Sequence, residues 1–330
     1  MNLRLVASPV LVLLLSYYAP GQSMPSGVDQ TGSSARVSAN TSVRQNLMNR
    51  VAEAEAAVRQ AEAAHATNVA LSKTYLQLGL WCQSAALWER AEAALEHAVS
   101  LLRNTSEPGS DLATAISQVA SLHVTMGKYR ESEKEQQEAL RLREDIGDRL
   151  QIARSQDDFA ILYLSKQKYE KARDLARQAE AEFVRNGRSE VLDRMTARVT
   201  LAEALCYLKD CPSAITLLKV ALAEAQASLR PEDFNVGLCN FLLGYAYWKS
   251  GNLATAALYL ERGTVQMNTQ LGWGHPAYLR ALTFYVEFLH ENQQVEAANV
   301  VERRIRQAQA VVDVHSIQTA QGMFSIDGLR

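Results

Sequence analysis

Four cysteines in 330 residues, Cys82, Cys206, Cys211 and Cys239, are too few for a disulfide framework to hold the chain together. All four fall within or beside helical patterns and read as buried thiols, the alternative being one bridge among Cys206, Cys211 and Cys239. Neither charge sign is in excess: 34 Lys and Arg face 36 Asp and Glu, for a formal net charge of -2. That balance excludes the basic footprint of a nucleic-acid binder and the acidity of a solvating tail. The densest basic patch, Arg303, Arg304 and Arg306, lies on a terminal helical pattern and reads as solvent face. The chain has no His-Glu-x-x-His, no Gly-x-x-x-x-Gly-Lys-Ser/Thr, no Gly-x-Gly-x-x-Gly and no Cys-x-x-Cys. Its six histidines are scattered over separate segments, and His123, at a helix-packing position, reads as a satisfied core histidine rather than a ligand. No catalytic residue, cofactor or metal site is therefore expected. Strand signals are missing too.

Only the N-terminus carries a long apolar run. Arg4 is followed by Leu5 to Tyr18, about fourteen mostly apolar residues, too short to span a bilayer comfortably and patterned as a signal peptide over residues 1–23. The expected destination is the periplasm or the exterior; the alternative is an uncleaved leader that tethers the chain to a membrane. Residues 24–42, rich in Ser, Gly, Asn and Thr, read as a flexible leader. Over 43–66, Leu47, Val51, Ala54 and Val58 form a helical stripe of small apolar side chains, which suits a capping helix or a short coiled-coil contact.

What the chain has is a repeat. Ala91, Ser132, Ala172, Ala214, Ala256 and Ala298 follow one another at intervals of 41, 40, 42, 42 and 42 residues. Seven residues behind each comes Ala98, Ala139, Ala179, Ala221 or Gly263, broken at the last by Ile305. Such regularity is what stacked structural units produce, and two small residues on one helical face mark close helix approach. Each unit holds two apolar-periodic segments around a short break, such as Gly127-Lys128, Gln167-Lys168, Asp210-Cys211-Pro212 or Ser250-Gly251-Asn252. The expectation is six helical hairpins over residues 67–315, with a loose tail over 316–330.

The pairs Leu78-Gly79, Val119-Ala120, Phe159-Ala160, Leu201-Ala202 and Leu243-Gly244, each followed by the two small residues, resemble the tetratricopeptide repeat family. The period of 40 to 42, with the linker Gly272-Trp273-Gly274-His275-Pro276, is similar to the kinesin-light-chain-like subclass. The resemblance implies an all-α, right-handed superhelical solenoid of stacked antiparallel helix pairs whose first helices line a concave groove for a peptide or protein.

On that resemblance the groove-facing positions include Lys73, Leu76, Leu80 and Gln83, then Thr114, Ser117, Ser121 and Val124. Arg154, Asp157, Ile161 and Leu164 follow, with Thr196, Val199, Glu203 and Cys206 next. The fifth unit gives Leu238, Phe241, Tyr245 and Trp248, and the sixth Arg280, Thr283, Glu287 and His290. Phe241, Tyr245 and Trp248 share one helical face and are the expected aromatic anchor for a partner, with coverage by the array or the tail as the alternative. Leu238, Arg154, Asp157 and Arg280 complete the expected contact set. The expected role is a non-enzymatic module that binds or scaffolds a protein or peptide. The alternatives are a regulatory or sensor component of a membrane-associated signalling assembly, and self-association through the N-terminal helix or the terminal units. Nucleic acid is not an expected partner, and no membrane span is expected in the mature chain.

Overall fold

A computed structural model describes residues 33–105, 109–186 and 191–323, with side chains within 43–309. The segment read as a signal peptide lies outside the described residues. Among those described there are thirteen helices and no strand: α1 Ser33–Ala63, α2 Asn68–Ser84, α3 Trp88–Arg103, α4 Gly109–Thr125, α5 Tyr129–Ile146, α6 Arg149–Ser165, α7 Tyr169–Arg185, α8 Val191–Tyr207, α9 Cys211–Ser228, α10 Phe234–Lys249, α11 Leu253–Leu271, α12 Pro276–Glu291 and α13 Val295–Met323. Each even-numbered helix pairs with the odd-numbered helix after it, and successive pairs stack, with α4 against α6, α6 against α8 and α8 against α10. The result is the expected all-α solenoid of six helical hairpins.

One turn geometry joins every pair. Ala86, Gly127, Gln167, Lys209, Gly251 and Gln293 all have positive φ, between 57° and 86°. Each stands five residues before the marker small residue, so the turn and the packing contact recur together. The next amide in each unit donates back across the helix end: Leu87 to Cys82, Lys128 to His123, Lys168 to Tyr163, Asp210 to Leu205, Asn252 to Tyr247 and Gln294 to Leu289, all at 2.8–2.9 Å. A left-handed residue followed by that closing bond is a Schellman end, which satisfies carbonyls the helix would leave orphaned. The second helix is then launched antiparallel to the first.

The marker residues are where the helices touch. Ala91, Ala98, Ala139, Ala172, Ala179, Ala214, Ala221, Ala256 and Ala298 have no exposed surface, and neither does Ser132. Closest of all is the α10–α11 pair. A β-carbon on Gly244 would lie 2.6 Å from the Leu260 amide nitrogen, and one on Gly263 would lie 2.5 Å from that of Phe241. No side chain fits between these backbones.

The N-terminal helix caps the array. Its stripe of Leu47, Val51, Ala54 and Val58 is buried, as the small-apolar pattern requires, and α1 packs on α2. Burying each of the larger three contributes about 1.5–3 kcal/mol. The same helix also reaches α11, in the fifth unit. Beside that contact, the backbone of Ser84 at the end of α2 faces the buried His275 ring in the linker ahead of α12. The first and the fifth to sixth units therefore meet, and the superhelix closes on itself.

Two boundaries differ from the sequence reading. The flexible leader expected to reach residue 42 gives way to helix at Ser33, ahead of the apolar stripe, because the Ala- and Arg-containing stretch from Ser33 continues the helical backbone of α1. At the other end, α13 continues through residue 315 to Met323, since no Gly or Pro interrupts it before Gly322. No helix among the described residues is long and apolar enough to cross a membrane.

Candidate functional site

The first helices of the hairpins, α2, α4, α6, α8, α10 and α12, form the inner wall on which a partner was expected, and its two halves differ. Around α10 the wall is sealed. Leu238, Phe241, Tyr245 and Trp248 are all buried, which corrects their reading as exposed anchors. Phe241 turns toward its own hairpin partner, its backbone pressed onto Gly263 of α11. Tyr245 is held between Tyr207 of α8 and Phe284 of α12, at ring-centroid distances of 6.3 and 6.1 Å. Trp248 packs edge-on against Phe288 at 5.8 Å and donates from Nε1 to Glu291 Oε2 at 2.7 Å. Tyr247 stacks on Tyr259 of α11, on the face that packs within the hairpin.

The charged candidates are engaged as well. The Arg154 guanidinium clamps Asp193 of α8 with two bonds, Nε to Oδ1 at 3.0 Å and Nη2 to Oδ2 at 2.7 Å, a bidentate geometry that fixes the side chain as a strut. Asp157 is buried, with Oδ1 lacking a hydrogen-bond partner. Burial, and then the neighbouring charge of Asp158, hold its carboxyl well above the usual carboxylate range. Arg280 is half-buried and already engaged within the fold. Neither aspartate nor arginine is therefore a free handle for a ligand's charge.

Along one edge of the wall runs a ladder of rings: Tyr169 stacks on Tyr207 at 4.6 Å and 7°, and Tyr207 meets Tyr245. The buried Glu203 lies among these three phenols. Burial, and then its negative charge, push all three hydroxyls above the ordinary tyrosine range. They stay protonated and act as hydrogen-bonding, apolar-bodied struts.

Over α2, α4, α6 and α8 the inner wall is less completely covered, although Gln83, Ser117, Val124, Asp157, Leu164, Val199, Glu203 and Cys206, also expected to face the groove, are buried. Leu76, Leu80, Thr114, Ser121, Arg154, Ile161 and Thr196 are half-buried. Apolar side chains and hydroxyls alternate there across four helices. Of the two groove-facing cations there, Arg154 is paired with Asp193 and the exposed Lys73 lies 3.9 Å from Asp111.

A second cluster went unseen in the sequence. His123, at the end of α4, is buried with both ring nitrogens on carboxylates: Nδ1 on Glu135 of α5 at 2.8 Å and Nε2 on Glu92 of α3 at 2.9 Å. Burial alone would lower its pKa, but the two hydrogen bonds outweigh that and raise it. Glu92 also accepts from Lys128. Burial would raise the Glu92 carboxyl, yet the bonds from Lys128 and His123 hold it down. Glu92 and His123 are 31 residues apart, a spacing no short motif reports. The four cysteines are free and buried, as the helical pattern implied.

The tetratricopeptide repeat profile matches residues 111–181. No curated protein matches the chain. Among solved structures, BtubC (BKLC) from P. vanneervenii is 19% identical with a TM-score of 0.54, over 67% of this chain and 90% of that one. The apo form of RapI is 14% identical with a TM-score of 0.60, over 83% and 98%. The Rap conjugation gene regulator of plasmid pLS20, solved in complex with the Phr* peptide, is 12% identical with a TM-score of 0.66, over 95% and 83%. The matched repeats lie in the second and third hairpins, and the same turn and a buried small marker residue carry on through all six, so the chain has the fold of a tetratricopeptide-type repeat array.

Proposed function

We propose that this protein is a non-catalytic binding module that takes an extended peptide, or a helical segment of a partner protein, along the less covered half of its inner wall. The observation that carries this reading is the half-buried surface over α2, α4, α6 and α8, where Leu76, Leu80 and Ile161 offer apolar contact and Thr114, Ser121 and Thr196 offer hydroxyls. Extended repeat surfaces suit recognition of this kind. A similarly folded protein, the pLS20 Rap regulator, was solved with a peptide, which supports the choice of ligand. With Arg154 paired to Asp193 and Lys73 beside Asp111, a ligand held by side-chain contact suits this half of the wall better than one held by a terminal carboxylate. The same proposal puts the wall outside the cytoplasm, a reading supported by the apolar N-terminal stretch patterned as a signal peptide. N-terminal sequencing of cell-derived protein reads that directly, as loss of roughly the first twenty residues.

The test is selection of peptides on the immobilised full chain, followed by affinity measurement against variants. Leu80→Glu combined with Ile161→Glu should weaken a selected peptide by tenfold or more with the helical spectrum intact. Leu258→Glu, at the most exposed large apolar side chain among the described residues, on α11, should leave it unchanged. Equal binding to the double variant would sink this assignment of the wall.

A further inference from the structure

We propose that Glu92, Glu96 and His123 form a site for a divalent cation of the zinc class, bridging the first and second hairpins. One ligand atom from each of the three residues lies within 4.8 Å of the others. Ligands at about 2.0–2.2 Å around a single ion stand roughly 3–4 Å apart, so the closure needed is small. Glu92 and Glu96 are one helical turn apart on α3 and present both carboxylates on one face. Glu96 is exposed and free to swing inward.

The surroundings of His123 distinguish this cluster from a chance gathering of acids. Its Nδ1 is bound by Glu135 at 2.8 Å, the second carboxylate that orients metal-binding imidazoles and fixes which nitrogen is offered. The other nitrogen, Nε2, points at Glu92. The ring is buried and held from both sides, whereas Glu92 retains some solvent exposure, which leaves the ion a path and an open position for water. One imidazole and two carboxylates favour zinc and its neighbours over calcium or magnesium, which select all-oxygen sets.

Lys128 is the built-in competitor, because its ammonium holds the same Glu92 oxygen that faces His123. An ion arriving at Glu92 takes over that charge balance, and the half-exposed lysine turns to water. The proposal therefore carries an unusual signature: removing a cation should improve binding of a cation.

The experiment is calorimetric titration of the full chain with Zn2+. Wild type should take up one ion per chain. Glu96→Gln should bind at least tenfold more weakly, and since Glu96 is exposed and makes no hydrogen bond among the described residues, its thermal unfolding without metal should match wild type. Lys128→Ala should bind severalfold more tightly. No saturable uptake, equal uptake by Glu96→Gln, or no tightening in Lys128→Ala would each overturn the proposal.

Discussion

The imidazole of His275 rests against the backbone of Ser84, which joins the last turn of the first hairpin's leading helix to the linker ahead of the sixth hairpin. The ring also caps α12, its Nδ1 accepting from the Ala277 amide at 3.2 Å. Burial drives its pKa from 6.5 down to about 3, partly opposed by the Ser84 backbone. The folded protein thus keeps His275 neutral over a range in which the unfolded chain protonates it. Stability should fall as the pH drops below about 6.5, with one proton contributing up to about 1.4 kcal/mol per pH unit, and the loss should stop growing near pH 3. His275→Asn keeps a capping side chain and removes the titration, so its urea-melting profile should be flatter than wild type between those limits. An unchanged slope would mean that the ring is not held neutral.

At Gly263 two opposing effects have a clear winner. Replacing a mid-helix glycine with alanine ordinarily gains about 1 kcal/mol in helix propensity. Here the added carbon would sit 2.5 Å from the Phe241 nitrogen and 2.7 Å from its α-carbon, both backbone atoms. Gly263→Ala should therefore destabilise by about 1–3 kcal/mol, read from chemical denaturation.

The left-handed turn position predicts the opposite sign. Gln167 holds a φ of 57° at the end of α6, where the second and fifth hairpins use glycine. Gln167→Gly should stabilise by about 0.5–1 kcal/mol, the relief of left-handed strain exceeding glycine's greater freedom in the unfolded chain. Gln167→Val should lower the melting temperature.

Asp157 combines burial, a raised pKa and an unpartnered oxygen. A raised carboxyl means the folded state binds the proton more tightly, so its contribution is present in acid and lost as the pH climbs above the unfolded value of about 4. Asp157→Asn removes that loss. The variant should be at least as stable as wild type at pH 7, with its relative advantage gone by pH 4, in parallel urea titrations.

The repeat was legible because each unit repeats one contact: a marker residue without exposed surface at Ala91, Ser132, Ala172, Ala214, Ala256 and Ala298, five places after a left-handed turn. Closure was not legible, since it follows from a small rotation per hairpin accumulated over several units, which no local pattern encodes. The aromatic stripe was misread for a different reason, and the sequence held the correction. From Phe234 to Trp248 helix α10 contains no charged residue, and every position from Phe234 to Ala246 is buried. A helix apolar on all sides is a core helix. Its Gly237 and Gly244, with Gly263 opposite, let α11 approach closely enough to seal it.

An open stack of hairpins lengthens or shortens by whole units without penalty. This one does not, because Ser84 can reach His275 only if the intervening hairpins sweep the right angle. Duplicating or excising a hairpin would carry the linker past its seat and expose the ring. The number of units is thus part of the tertiary structure, set by where the chain must return to meet its own beginning.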